Sequence, residues 1–448
     1  MSTIPGTTPS KASRRAIYAA SVGSLLEWYD FAVYAYLATI LAARFFPGSD
    51  PDAALLATFA TFGAGFLARP IGGVLAGRLG DRKGRKVALM WTMFPMALST
   101  IAIGLLPPLQ AIGIWAPVML VVLRLIQGLA AGGEWAPSAA FLIEWAPAGR
   151  RGFYGSFQQI SIGGGLLLGS AVAALVTTLL THEQMFDWGW RVPFLLSVAL
   201  LIAGFYIRRN VEETPLFGAA LEAPAHVPLS ARVKLGARAF GFSIFWTIAS
   251  WALVAWVPTF TQKYAGLSPT QSLWSNTIGM VAMVATTPVW GALSDRIGRR
   301  PVLLASTISI GLLAWPLLAL MIGTNSFAVV MPIQVLLGVL MALFSGTAPS
   351  AISEIFPTHL RTTWMAIGYT LATAVFGGFT PFVATWLIRL TGSPLASTYL
   401  WLLPAAIVSS LVIFSMKETG GAARRLDAGG SLETPWPGDK PKHLELRR

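Results

Sequence analysis

Twelve apolar stretches alternate with short polar connections along the chain, at about 16–43, 53–77, 87–107, 117–143, 155–181, 190–208, 238–262, 272–293, 301–323, 327–353, 364–388 and 395–416. A run of about 20 apolar residues crosses the hydrocarbon core of a bilayer as a helix. Only a helix or a closed barrel satisfies every backbone N–H and C=O there. The pattern predicts an all-α membrane protein with twelve transmembrane helices. Polar segments divide it further: a tail at 1–15, a linker at 209–237 carrying Pro215, Pro224 and Pro228, and a Pro/Gly-rich tail at 417–448. Two six-helix halves result, 16–208 and 238–416. The first apolar stretch lacks a small-residue cleavage site, so no signal peptide is expected.

Polar residues inside the apolar stretches are the candidate chemistry. The fourth stretch is broken by Arg124, Gln127 and Glu134. A charge at the bilayer centre costs about 2.5–3.5 kcal/mol on insertion scales, so these groups must face protein or water. Gln127 and Glu134 are seven residues apart and share a helix face, with Arg124 one turn earlier. Gly128, Gly132 and Gly133 leave room beside that stripe for a helix or a ligand. The first stretch carries Glu27 and Asp30, three residues apart, on a face continued by Gly23 and Tyr34. Paired carboxylates in a water-poor setting repel each other, and one that titrates near neutrality is what proton symport requires. Glu27, Asp30 and Glu134 are therefore the proton-coupling candidates. The competing reading is that they pair permanently with an arginine such as Arg124. Arg124 itself, with its planar fork of donors, suits a substrate carboxylate. Gln127, Tyr34, Gln159, Gln334 and Asn276 are polar groups that either line the same cavity or bond a neighbouring helix.

Composition and charge sharpen the picture. The chain has 448 residues, 55% hydrophobic and 11% charged, against about 25% charged in soluble domains. Its net charge of +13 does not point to nucleic acid. When loops are assigned alternately to two sides, 26 of the 32 Lys and Arg fall on the side of the N-terminus. The positive-inside rule then places both termini in the cytoplasm. The absence of cysteine removes thiolate catalysis and thiolate metal sites. No Walker A loop and no metal-binding cluster occur, so neither ATP-driven transport, nor a cofactor, nor an enzyme is expected.

Two loops repeat. Gly77-Arg-Leu-Gly-Asp81-Arg82-Lys83-Gly84-Arg85-Lys86 is echoed 214 residues later by Gly291-Ala-Leu-Ser-Asp295-Arg296-Ile-Gly298-Arg299-Arg300. Glu144-x-x-Pro147-x-x-x-Arg151 is echoed 210 residues later by Glu354-x-x-Pro357-x-x-x-Arg361. The halves are thus pseudo-symmetric, an alternating-access plan with the site near the midplane. The same offset makes Gln334 the counterpart of Arg124. Asp81, an acid within a basic cluster, is placed to meet the N-terminus of a neighbouring helix, whose partial positive charge favours it. Arg82 and Arg85 can engage Glu144 or Glu354, latching the cytoplasmic end.

These residues resemble the major facilitator superfamily, and more narrowly its metabolite:proton symporter family. The loop at 77–86 carries the broader likeness. The narrower one rests on Leu26-Glu27-Trp28-Tyr29-Asp30-Phe31, Arg124-x-x-Gln127-Gly128 through Gly132-Gly133-Glu134, and Arg151-Gly-Phe-Tyr154-Gly-Ser156. Trp188-Gly-Trp190-Arg191-Val-Pro193-Phe194 and Glu213-Thr214-Pro215-Leu-Phe217 add to it. The resemblance implies the major facilitator fold, and a latch at Asp295–Arg299 like that at Asp81. It also implies proton-coupled uptake of a small organic acid or a zwitterion. The expectation is a monomeric symporter of the bacterial inner membrane that imports a di- or tricarboxylate. The alternatives are a proline- or betaine-type carrier, and a transporter-like sensor. The family's osmosensing members have long heptad-patterned tails; residues 417–448 show no heptad, which ranks the zwitterion reading second.

Overall fold

The computed structural model describes residues 24–25, 27–83, 85–132, 135, 139, 142–143, 146–147, 149–209, 228–356 and 358–420. Within these, the side chains of 76–77, 80–83, 85–92, 204, 207–209 and 358–362 are outside the description. Helices occupy all twelve apolar stretches. They are α1 (27–45, interrupted by one turn residue at Leu37), α2 (Pro51–Lys83), α3 (Arg85–Leu105), α4 (Trp115–Ala131) and α5 (Arg151–Leu179). Then come α6 (His182–Ala203), α7 (Leu229–Lys263), α8 (Pro269–Ile297), α9 (Arg299–Met321), α10 (Phe327–Glu354), α11 (Thr363–Thr391) and α12 (Thr398–Ser415). Nine of them, α2 and α5 to α12, are long and apolar enough to span a membrane, among the described residues. The apolar parts of α3 and α4 are shorter.

Local sequence explains the ends. Ser268 opens α8 with a capping box: its hydroxyl accepts the Gln271 N–H while the Gln271 side chain accepts the Ser268 N–H, both at 3.2 Å, and Pro269 follows. Thr181 and Gln184 do the same for α6. Gly392, at φ 70°, closes α11 in the left-handed conformation that glycine adopts freely. Proline lies inside α2, α3, α8, α9 and α10, and among the described residues π-helical turns interrupt α6 (Met185–Gly189), α7 (Ala252–Trp256) and α11 (Thr373–Gly377) and open α12 (Thr398–Leu402). Membrane helices tolerate such breaks because neighbouring helices satisfy the freed backbone groups.

Small residues set the crossings. A Cβ on Gly72 would run into the Leu129 backbone, and one on Gly128 into the Gly65 carbonyl, so α2 and α4 touch backbone to backbone. Gly152 of α5 and Gly291 of α8 make the same kind of approach between the two halves. With little hydrophobic drive between helices in lipid, such approach supplies the packing. One end of the bundle, the basic end, carries Arg78, Arg150, Arg151, Arg296, Arg299 and Arg300.

Candidate functional site

Four buried ionisable residues gather in the first half. Arg124 of α4 is fully buried; its Nη1 donates to Gln127 Oε1 at 2.7 Å, and Gln127 Nε2 donates to the Thr100 hydroxyl of α3 at 2.7 Å. Its guanidinium carbon lies 4.4 Å from the ring centre of Tyr34, 4.7 Å from Phe31 and 5.0 Å from Phe62. Asp30 accepts the Ser197 hydroxyl of α6 at 2.5 Å and has Thr100 beside it. Tyr34 donates its hydroxyl to the Thr58 carbonyl of α2 at 3.0 Å.

Glu27 turns elsewhere. Residues three apart on a helix are rotated by about 60°, enough for two side chains to meet different neighbours. Glu27 stands 3.9 Å from Arg69 of α2, each side chain nearly buried. Arg69 lies over Phe31 and Phe66, both at 4.4 Å, and Trp28 at 4.8 Å. The Phe31 ring therefore sits against both guanidinium groups. In Arg69 and in Arg124, Nε and Nη2 have no hydrogen-bond partner among the described residues. Arg69 falls inside the second apolar stretch, 53–77, and sequence alone assigns it no role. Its signal was available: it is the one charge between Pro51-Asp52 and Arg78.

Aromatic side chains of the second half close over this cluster. Trp251 of α7 stacks on Trp28 at 5.8 Å and meets Phe66 and Phe62 edge-on at 4.9 and 5.2 Å. Tyr369 of α11 is near enough to Arg69 and Glu27 to interact with their charges. It stacks on Trp135 at 3.9 Å and packs on Trp246 of α7 at 5.3 Å. Gln158 of α5 holds the Trp135 carbonyl at 2.7 Å, and the Trp135 indole N–H has no partner among the described residues.

The other predicted polar positions are dispersed. Gln159 is buried on α5, its amide nitrogen without a partner among the described residues. Asn276 donates to Ser170 at 3.0 Å, joining α8 to α5, and Gln334 donates to Ser275 at 3.1 Å, joining α10 to α8. These bonds run to hydroxyls at helix crossings and not to the arginine cluster. Glu134 lies outside the described residues.

Contacts between the halves occur at both ends. At the basic end Asp295 accepts the N–H groups of Gly152 and Phe153 at the start of α5, both at 2.9 Å, and pairs with Arg299 at 2.8 Å. Arg299 reaches Glu354 at 3.4 Å, and the Thr419 hydroxyl also bonds Glu354. Glu418 accepts the N–H groups of Arg299 and Arg300 at 2.7 and 3.0 Å, covering the start of α9. Arg151 is half-buried, its Nε without a partner among the described residues. Glu144 and the side chains of Asp81, Arg82, Arg85 and Arg361 lie outside the description. At the opposite end Asp50 pairs with Arg389 at 2.7 Å and Asp52 with Lys263, pairs that sequence reading did not single out. The Ala53 N–H, then the Asp52 N–H and Arg389, hold the Asp50 carboxyl below its usual range. Burial pushes the nearby Tyr264 phenol up.

Comparison with known proteins decides the family. Residues 16–222 match the family described as Sugar (and other) transporter, and 262–438 match Major Facilitator Superfamily. The chain is 34% identical over 421 residues to the proline/betaine transporter of Escherichia coli (strain K12), covering 91% of this chain and 84% of that one. The chain belongs to the major facilitator superfamily. Within it, this facilitator falls in the metabolite:proton symporter family. A putative proline/betaine transporter of Staphylococcus aureus (strain COL) is 35% identical over 437 residues, covering 96% of this facilitator and 92% of its relative. Among solved structures, the xylose transporter of E. coli in a partially occluded inward-open conformation aligns with a TM-score of 0.73 at 19% identity, covering 92% and 99% of the two chains. A D-xylose-proton symporter aligns at 0.71 with 20% identity, covering 90% and 98%. Identity that low shows the shared fold alone: twelve helices in two six-helix halves. The facilitator is a multi-pass membrane transporter. The two transporter relatives are named for proline and betaine and not for a di- or tricarboxylate.

Proposed function

We propose that this facilitator carries a small zwitterion of the proline or betaine kind inward together with protons, by alternating access. One observation carries the reading: Nε and Nη2 of two buried guanidinium groups, without a hydrogen-bond partner among the described residues, stand against a wall of aromatic rings. A carboxylate takes charge-assisted hydrogen bonds from such donors. A substituted ammonium, with few or no N–H groups, is stabilised by ring faces instead. A zwitterion uses both and brings no net charge into the membrane. The names of the relatives point the same way.

Each proton moving inward down a 100 mV potential releases about 2.3 kcal/mol, enough for a tens-fold accumulation of a neutral cargo. Glu27, Asp30 and Glu134 remain the proton carriers under this proposal. The halves 16–208 and 238–416, joined by the 209–237 linker, rock against each other. Contacts at Asp295, Arg299 and Glu354 hold the basic end, which faces the bacterial cytoplasm with both termini, and the Asp50 and Asp52 pairs hold the outer end. With contacts present at both ends, the arrangement described is an occluded one.

A second reading has one observation in its favour: Arg69 and Arg124 both have open donors, which suits a dicarboxylate bridging them. Uptake into proteoliposomes under an imposed pH gradient separates the two. Accumulation of betaine or proline, uninhibited by excess citrate or α-ketoglutarate, supports the zwitterion. The converse pattern restores the organic acid.

A further inference from the structure

We propose that Arg69, rather than Arg124, receives the carboxylate of the transported molecule, and that Glu27 is the group which that carboxylate displaces. The proposal rests on the transport reading above, and it holds whether the cargo is a zwitterion or a simple organic anion.

Position separates the two arginines. The described hydrogen-bond and ring neighbours of Arg124 (Gln127, Phe31, Tyr34 and Phe62) all belong to the first half. Arg69 lies at the seam. Tyr369 of α11 is beside it, and its ring partner Phe66 packs against Gly378 of α11, whereas Arg124 approaches the second half through the ring of Phe62, which meets Trp251 of α7. A carrier whose halves rock must bind cargo where both halves reach it.

Geometry separates them further. The edge of a guanidinium formed by Nε and Nη2 is one that meets both oxygens of a carboxylate at once. In Arg69 that edge has no hydrogen bond among the described residues, and Arg69 is 95% buried. A buried donor left unpaired is costly, so a carboxylate meeting this edge gains two charge-assisted hydrogen bonds. Glu27, at 3.9 Å from Nη2, balances the charge of Arg69 without completing that bond. Arg124 has the same edge open, but its Nη1 is tied to Gln127, which Thr100 holds in turn.

The exchange conserves charge. As the cargo carboxylate reaches Arg69 and brings one negative charge, a proton from the outside adds to the Glu27 carboxylate in the same step and cancels another. At no stage is Arg69 buried without a counter-charge. The charged and titratable groups around this pair are Tyr369 from α11, with Asp30 one turn along α1 and Arg124 beyond it.

The test uses the full chain with three probes, betaine, proline and citrate, and follows equilibrium binding by fluorescence of the seam tryptophans between pH 5 and 8. Arg69→Gln is expected to weaken binding of whichever probe the wild type binds by about 30-fold or more. Arg69→Lys keeps the charge and loses the two-point grip, so a loss of about tenfold is expected. Glu27→Gln is expected to bind that probe with a weakened pH dependence and to exchange it while accumulating it less under a pH gradient. Wild-type affinity in Arg69→Lys, whose retained charge preserves the fold, overturns the proposal, as does an unchanged pH profile in Glu27→Gln. If the wild type binds citrate and neither zwitterion, the zwitterion reading fails, while an Arg69-dependent citrate affinity sustains the anchor. If the wild type binds none of the probes, both fall.

Discussion

Trp28 of α1 and Trp251 of α7 stack across the boundary between the halves with ring centres 5.8 Å apart and planes 27° from parallel. Trp251 also meets Phe62 and Phe66, so one second-half side chain touches three aromatic rings of the first. Trp251→Ala is expected to destabilise the closed arrangement by about 3–5 kcal/mol, the usual cost of emptying a buried aromatic site. Trp251→Phe keeps a ring in place and should cost under half of that. Thermal unfolding of the detergent-solubilised variants checks both.

Asp295 is expected to hold the basic end shut, because its carboxylate joins α8 to the first turn of α5 and faces that helix's positive end. Asp295→Asn removes the charge and the Arg299 pair. The chain has no cysteine of its own, so a single Ser156→Cys, buried beneath Gly291, reports opening without background. Asp295→Asn should raise its labelling rate about tenfold, equivalent to about 1.4 kcal/mol. An unchanged rate would leave this aspartate with no part in closure.

The Asp50–Arg389 pair predicts an absence of pH response at the outer end. Asp50 has its folded value depressed, so the pair is intact above the ordinary carboxylate range and is lost only as pH falls through the depressed value. Between pH 5 and 8 the pair should not titrate. Asp50→Asn should therefore shift maximal uptake while leaving the midpoint of its pH profile in place. A displaced midpoint would assign the response to this loop.

Gln127→Leu tests the polar brace under Arg124. The substitution preserves bulk and removes the acceptor for Arg124 and the donor to Thr100. Leaving a buried charge short of an acceptor is expected to cost about 1.5–3 kcal/mol. Thermal unfolding reads the loss, and Gln127→Glu, which restores an acceptor, should recover stability.

The helices were legible in the hydropathy pattern, because spanning length is set by the bilayer and not by partners. Arg124 and Gln127 stood out for a related reason: polar groups within an apolar run need an explanation. Arg69 was equally visible as a lone charge in the second stretch, but with no acid or amide beside it on that helix, its partners on α1 and α11 came only with the structure. Asn276 and Gln334 show the converse. A count of intramembrane amides does not separate chamber lining from hydrogen bonds that join two helices. Pairing symmetry with Arg124 failed to bring Gln334 to the arginines because the halves share a backbone plan without sharing side-chain partners. The pairs of Asp50 and Asp52 depend on where α7 and α11 end in space. Substrate ranking leaned on a tail without heptads, yet a tail speaks to regulation and says nothing about what the centre grips.

Among the described residues, the carboxylate and guanidinium groups at the centre, Glu27, Asp30, Arg69 and Arg124, hang from the first half, while the second brings Trp246, Trp251 and Tyr369. Under the proposed function, recognition of charge falls to the first half, and the second contributes part of the aromatic contour. Selection can remodel the contour of the cargo through residues after 238 without ever leaving an ion stranded in oil. A hybrid joining this first half to the second half of a differently named relative should keep its taste for carboxylates and acquire a new silhouette.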